Sequence, residues 1–359
     1  MAHGNSLHDA DTAGARRPLA KATTLPARFY TDPDVFAAER EAIFARSWIS
    51  VARLEDLAVT GDYVTFAIAG EPVVVVRDRD GALRAFSNVC RHRNMTIVEG
   101  TGSAKALQCP YHLWTYRLDG TLARAPGMER AIGFDPATVC LPELRVEDWL
   151  GWVFVNLDPE AAPLAPQLTG LEAICAPHDL GSMRRVGVLD YPSPWNWKIS
   201  VENFAESYHH PGVHPDTLQP SFPGDRSWAE DNNGQPWLSL DHVSVRPPLE
   251  PFTASVAFPS HLFSIARPNG LVWFRMEIHD VDQLDLQLQL FATPGSGDDP
   301  GTVELFTEGV RAINNEDVIV NRRTQRGLGS RFAAPGRISH LEKGTWQFRR
   351  WVLDRLTGR

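Results

Sequence analysis

The sequence predicts an α+β protein in two parts: a small all-β domain, then an α+β domain built on an antiparallel sheet with long helices. Three observations predict it. Between residues 63 and 158, the short β-rich runs YVTFAIAG, EPVVVVRD, ALRAFSNV and GWVFVNLD are separated by Gly or Asp turns. The Pro/Ala-rich stretch 159–168 (PEAAPLAPQL) reads as a linker. Beyond it, strand-like runs at 237–246, 254–266, 270–280 and 283–292 alternate in polarity, and 302–328 and 340–356 read as helices.

Taken in order, residues 1–26 read as a flexible lead-in. Residues 27–47 (ARFYTDPDVFAAEREAIFARS) read as one short amphipathic helix with Val35, Phe36, Ile43 and Phe44 on its apolar side, packing on the second domain. The β domain is placed at 48–158 and the second domain at 169–359. A chain of 359 residues suits two domains at ~100–200 residues each. Within the second domain, 183–194 (MRRVGVLDYPSP) reads as strand-like and 195–209 as a helix.

The formal net charge of −9, without Lys/Arg runs, argues against nucleic acid or an anionic membrane as partner. The sequence lacks the ~18 uninterrupted apolar residues of a membrane helix, and the N-terminus lacks the apolar core of a secretory signal. The expected location is cytoplasmic. Four cysteines are too few for a disulfide framework, and in a cytosolic chain Cys beside His points to metal.

The first constellation is 90-CRHRNMTIVEGTGSAKALQCPYHLWTY-116. It supplies Cys90, His92, Cys109 and His112 from two loops. A structural Cys2His2 zinc site would also use two of each, but zinc motifs pair Cys with Cys and His with His. One cysteine and one histidine per loop is the Rieske pattern, in which two thiolates hold one iron of a 2Fe-2S cluster and two imidazoles the other. Cys140 and Cys175 have no histidine neighbours and read as buried apolar fillers.

The second constellation is 202-ENFAESYHHPGVHPD-216. Glu206 and His209 have helical spacing, and so do His210 and His214. Pro211 and Gly212 lie between the latter pair and are expected to end the helix near His210. His209 and His214 then converge while His210 points elsewhere. Two histidines and a carboxylate would form the facial triad of non-haem iron(II) oxygenases. The carboxylate is either Glu206 or the distant Asp317, which lies on a helical face with Ile313, Val320 and Thr324.

With both constellations in this order, the chain from about residue 30 onward resembles the α subunits of Rieske non-haem iron oxygenases. The resemblance is strongest in CRHR…CPYHLWTY and NWKISVENFAESYHHPGVH, and in motif it is closest to the branch that oxidises glycine betaine, choline and carnitine. It implies a Rieske domain plus a helix-grip catalytic domain. It also implies a 2Fe-2S cluster on Cys90, His92, Cys109 and His112, and a mononuclear Fe(II) on His209, His214 and Asp317, with Glu316 as the adjacent alternative. Glu206 would carry electrons between His112 of a neighbouring copy and His209, within a homotrimer. The implied reaction uses O2 and electrons from a separate reductase, alone or with a ferredoxin, so that NAD(P)H acts only indirectly. It would hydroxylate or N-dealkylate a small substrate such as a quaternary ammonium or N-methyl compound. The alternatives are ring hydroxylation of an aromatic or heterocyclic acid, a Rieske electron carrier without a working iron site, and a zinc-stabilised binding protein. Eleven tryptophans could supply an aromatic box for a cation. Trp237, Phe263, Trp273 and Phe274 lie in the catalytic sheet, where strand alternation turns only some of them inward.

Overall fold

The computed structural model describes residues 12–358. The chain forms two compact units, one of residues 44–164 and one combining the N-terminal segment to Ile43 with residues 165–359. The Pro/Ala-rich stretch contains the boundary.

The smaller unit is all-β. Its main sheet has seven antiparallel strands in the order Ile49–Arg53, Trp152–Asn156, Glu143–Trp149, Leu83–Ser87, Glu71–Arg77, Asp62–Ile68 and Thr101–Ser103. A second sheet joins Leu107–Gln108, Thr115–Tyr116 and Leu122–Arg124. The two cysteine-bearing loops extend from this framework and share one backbone design. Cys90 N–H donates to Met95 O at 2.9 Å and Asn94 N–H to Cys90 O at 3.0 Å. Cys109 N–H donates to Trp114 O at 2.9 Å and Leu113 N–H to Cys109 O at 3.0 Å. Each loop therefore turns through a left-handed residue four places after its cysteine, Asn94 (φ 57) in one and Leu113 (φ 61) in the other. Asn tolerates that region, whereas leucine bears a cost of roughly 1–2 kcal/mol there. Leu113 is thus held by the loop's hydrogen bonds rather than by preference.

In the larger unit the helices named here are α1 (Arg28–Thr31), α2 (Pro33–Ala42), α3 (Thr169–Cys175), α4 (Trp197–Phe204), α5 (His210–Val213), α6 (Pro300–Leu328) and α7 (Lys343–Thr357), all among the described residues. The seven-stranded antiparallel sheet runs Arg184–Ser193, Gln283–Ala292, Gly270–Asp280, His261–Ala266, Phe252–Ala257, Trp237–His242 and Ser227–Ala229. Its inner residues share a cavity with α6, a helix of 29 residues whose two buried side chains are Asn314 and Asn321. This is the helix-grip arrangement. The run 254–266 divides into two strands that pair through a turn at 258–260.

The segment 27–47 is not one helix. Asp32 leaves helical geometry and caps α2 by accepting from Asp34 N–H, with Pro33 in the first turn. Pro excludes the helical region for the residue before it but suits a helix start. The lead-in is also corrected. Residues 1–11 lie outside the described residues, but Ala15, Ala22 and Leu25 are buried, and Trp346 of α7 donates to Arg17 O at 2.9 Å. Side-chain chemistry does not distinguish this packed strap from a loose tail, because most of its apolar residues are small alanines without periodic spacing. Cys175 is buried, with its thiol pushed up to about 12 by desolvation, whereas Cys140 is exposed and not a core filler.

Two buried charge clusters tie α2, α4 and α7 together. Lys198 Nζ donates to Glu39 Oε1 at 2.6 Å with both side chains fully buried, and Trp197 Nε1 donates to Glu39 Oε2 at 2.8 Å. Arg349 grips Glu202 through two bonds of 2.9 and 2.7 Å, and Tyr30 O–H donates to the same carboxylate at 2.6 Å. Asn196, which precedes Trp197 and Lys198, caps the start of α4. Its side chain accepts from Lys198 N–H and donates to Val281 O, and its own N–H donates to Gln325 Oε1 on α6. The start of α4 is therefore pinned to the sheet and the long helix at once.

Candidate active site

The turn that follows α4 carries the chemistry. α4 stops at Phe204, so Ala205–His209 is not helical. Two glycines allow this turn its close packing. A Cβ on Gly344 would collide with Ala205 O, and one on Gly224 with Ser207 O. Glu206 lies between these contacts and is fixed by them.

The expected role of Pro211 is reversed. It begins α5, in the first turn where its missing N–H leaves no bond unmade, rather than ending the preceding helix. His214 N–H donates to His210 O at 2.9 Å, so the two histidines do stand one helical turn apart. His210 turns away for a different reason. Its Nδ1–H donates to Phe222 O at 2.9 Å and its ring stacks on His242 at 5.4 Å. Burial pushes the His210 imidazole down to about 4, so it is neutral.

His209, His214 and Asp317 converge, with one donor atom of each within 4.8 Å of the others. Among the described residues this is the trio of His, Cys, Asp or Glu close enough to share one ion. Each imidazole is oriented from behind by a carboxylate. Glu206 Oε1 accepts from His209 Nδ1 at 2.7 Å, and Glu316 Oε2 from His214 Nδ1 at 2.7 Å. Both Nε2 atoms are thereby directed to Asp317 Oδ1, His209 at 3.8 Å and His214 at 3.2 Å. His214 Nε2 is buried and lacks a partner in hydrogen-bonding alignment. An orphaned lone pair aimed at a carboxylate is what a metal ligand presents. Burial draws the His214 pKa down, but Asp317 and Glu316 outweigh it and leave it raised. The site's field thus favours a cation. Asn203 Nδ2 donates to Asp317 Oδ1 at 3.1 Å and holds the third donor.

Glu316 therefore sits on the far side of the ring from the donor atoms, and it also accepts from Thr217 O–H at 2.6 Å. Adjacency to Asp317 made it a rival ligand in sequence, but geometry makes it the orienting partner of His214. Glu316→Gln is expected to weaken metal binding by ~10–100-fold, the usual effect of losing such a partner. Metal titration of the variant against a chelator checks this, and unchanged affinity would remove Glu316 from that role.

In the smaller unit, Cys90 and Cys109 are buried as free thiols. Burial, and then the neighbouring Cys90 sulfur, hold the Cys109 thiol above its ordinary value. Two crowded buried thiols become comfortable as thiolates only beside a cation. The His92 and His112 rings meet edge-on at 4.6 Å, His92 stacks on Trp114 at 4.8 Å, and His92 Nδ1 is buried without a partner. Three donors drawn from these four residues do not gather as tightly as the His209 trio. That spread suits a two-iron cluster held at both ends better than one tetrahedral zinc.

The cavity beside the His209 trio measures about 360 Å³, within the usual range for small-molecule sites. Its aromatic walls are Phe204, Phe222, Phe252, Phe274 and Phe306, with His242 and the site histidines. The tryptophans do not line it. Trp237, Phe263 and Trp273 are buried elsewhere, and Phe274 is the one of the four sheet aromatics that faces inward. His242 and Asn203 went unnoticed in the sequence. Each is a lone polar residue, and its importance arises from contacts with distant segments.

The fold and the two donor sets define a protein arranged for an iron–sulfur cluster and a separate mononuclear metal. Residues 47–144 match the Rieske [2Fe-2S] domain family, and residues 180–358 match the ring-hydroxylating alpha subunit (catalytic domain) family. The carnitine monooxygenase oxygenase subunit of Escherichia coli (strain K12) is 44% identical over 214 residues, 58% of this chain and 56% of that protein. The glycine betaine monooxygenase oxygenase subunit of Chromohalobacter salexigens is 36% identical over 196 residues, 54% of this chain and 44% of that protein. The chain spans about half the length of the curated relatives it matches. The crystal structure of the quaternary ammonium Rieske monooxygenase CntA with L-carnitine is 30% identical with a TM-score of 0.85, covering 98% of this chain and 99% of that one. This chain belongs to the α subunits of Rieske non-haem iron oxygenases. Its two domains imply a 2Fe-2S cluster and a mononuclear iron. Among the described residues, no helix is long and apolar enough to cross a membrane.

Proposed function

We propose that the protein is the terminal oxygenase component of a Rieske system. It would take O2, and electrons from a separate reductase, to hydroxylate or N-dealkylate a small quaternary ammonium or N-methyl compound. The observation that carries this reading is the convergence of His209, His214 and Asp317 on one point at the end of an apolar cavity. Cys90, His92, Cys109 and His112 would hold the cluster, and the trio the iron. When bound, the cluster supplies single electrons and the iron activates dioxygen.

The chain's own residues supply the rest. Glu206 and Glu316 fix both imidazoles, and Asn203 holds Asp317, so the donor set is formed before any ligand arrives. Aliphatic and phenylalanine side chains make most of the cavity wall, and phenylalanine faces attract a methylated cation by ~0.5–2 kcal/mol. The same walls also fit an aromatic acid, which keeps ring hydroxylation as the second reading.

Glu206 is well placed to act as the link to a neighbouring copy's cluster in a trimer, because it is bonded to His209 and still partly exposed. The structure of a quaternary ammonium Rieske monooxygenase, 29% identical with a TM-score of 0.86, has given insights into inter-subunit electron transfer in that protein. Glu206→Gln is expected to weaken iron binding by ~10–100-fold, as at Glu316, and, once loaded with both metals, to reoxidise its reduced cluster far more slowly under substrate and oxygen. Reoxidation at the parental rate would rule the link out. The reading as a whole is tested by oxygen uptake with a reductase across betaines, N-methyl compounds and aromatic acids. Stimulated uptake by one class identifies it, and no stimulation by any would count against an oxygenase.

A further inference from the structure

The buried side chains of α6 are both amides. Asn314 and Asn321 are each 5% exposed, and they stand one turn to either side of Asp317 on the face that lines the cavity. Their settings differ. Asn196 N–H donates to Gln325 Oε1 and Asn203 Nδ2 to Asp317 Oδ1, so α4 runs antiparallel to α6. Asn321 lies midway between those two bonds, beside α4. Asn314 lies on the other side of Asp317, where the cavity extends along the helix. The α6 residues that line it there are Leu305, Phe306, Gly309, Val310, Ile313 and Asn314. Asn314 is thus the hydrogen-bonding side chain that α6 presents to this stretch.

Asn314 Nδ2 is buried and makes no hydrogen bond among the described residues. A buried donor left unmade is costly, and asparagine is a weaker helix former than leucine. The amide is therefore a cost to the fold that a ligand oxygen can remove. A half-turn about its broad, two-fold χ2 exchanges Nδ2 and Oδ1 and brings the donor to the cavity. Three residues along a helix rise ~4.5 Å. That matches the span of roughly 5 Å across four bonds of ~1.5 Å, from an atom held at the metal to an oxygen held at Asn314.

We propose that Asn314 is a specificity-determining residue, and that its amide donates to a hydroxyl or carboxylate oxygen of the substrate about four bonds from the carbon that reacts. Choline and glycine betaine share that spacing between an N-methyl carbon and an oxygen. The assignment of the reacting carbon rests on the oxygenase reading; the hydrogen bond itself does not require turnover.

Titration calorimetry on the metal-loaded protein tests it. The probes are choline, glycine betaine and propyltrimethylammonium, in which a methyl group replaces the hydroxyl of choline. At least one oxygenated probe is expected to bind ~10-fold or more tightly than the propyl analogue, and which one does so tells a hydroxyl from a carboxylate. Asn314→Leu should erase that preference while keeping the parental iron content and the parental affinity for the propyl analogue. Asn321→Leu should retain the preference. A merely structural amide would weaken all three probes alike in Asn314→Leu. That result, a preference that survives in Asn314→Leu, or a parent protein that shows no preference would overturn the proposal. A preference that Asn314→Leu erases, in a protein that takes up no oxygen with any probe, would instead overturn the oxygenase reading and leave the hydrogen bond standing.

Discussion

His214→Ala is expected to lose the mononuclear iron, keep the cluster, and lose oxygenase turnover by at least ~10³-fold. His214 is the most buried of the three proposed ligands, and its Nε2 faces Asp317 Oδ1 at 3.2 Å without hydrogen-bonding alignment. Removing it leaves His209 and Asp317 alone, and two donors do not make a stable site for iron in competition with water. The smaller unit has its own core around Cys90 and Cys109, with Trp114, Tyr116 and Phe86, so its visible absorption should be unaffected. Iron analysis should fall from about three per chain to about two, as the ligand counts require. His210→Ala is the control. Its ring is spent on Phe222 O and His242, so that variant should keep all its iron. Loss of iron from His210→Ala with retention in His214→Ala would reverse the assignment.

The second large effect is on stability. Glu39→Ala is expected to cost about 3–5 kcal/mol, because it leaves Lys198 charged and buried with no counterion. Burial already draws the Lys198 pKa down, and Glu39 is the main influence opposing it. Trp197 Nε1 would also lose its acceptor. Lys198→Met should be similarly damaging alone, whereas the double variant Glu39→Met, Lys198→Met should recover much of the loss, since two apolar side chains replace two desolvated charges. Urea unfolding followed by tryptophan fluorescence reads all three. A Glu39→Ala loss below about 1 kcal/mol would place the pair among the weak surface contacts. The consequence reaches the site, because α4, which carries Lys198, also carries Asn203, the residue bonded to Asp317.

Much of this arrangement was legible in the sequence wherever chemistry and spacing coincide locally. Both cysteine–histidine loops, the β-rich runs around them and the long helix bearing Asp317 could be read from residue types and periodicity. Legibility failed where a distant contact decides. Pro211 looked like a helix breaker because its neighbours suggested a helix to break; in the structure α4 has already stopped under the close packing of Gly344 and Gly224. Glu316 looked interchangeable with Asp317, because adjacent carboxylates differ only in which side of His214 they reach. Eleven tryptophans suggest a cation box by count alone, yet strand alternation turns phenylalanines into the cavity instead.

The most direct test is a single turnover without any reductase. Chemically reduced, metal-loaded protein is mixed with isotopically labelled O2 and the substrate class that stimulates uptake, and the product is analysed by mass spectrometry. The proposed function predicts label in a hydroxylated or dealkylated product together with reoxidation of the cluster. Reoxidation of the cluster with no labelled product from betaines, N-methyl compounds or aromatic acids would contradict it and leave the chain an electron carrier.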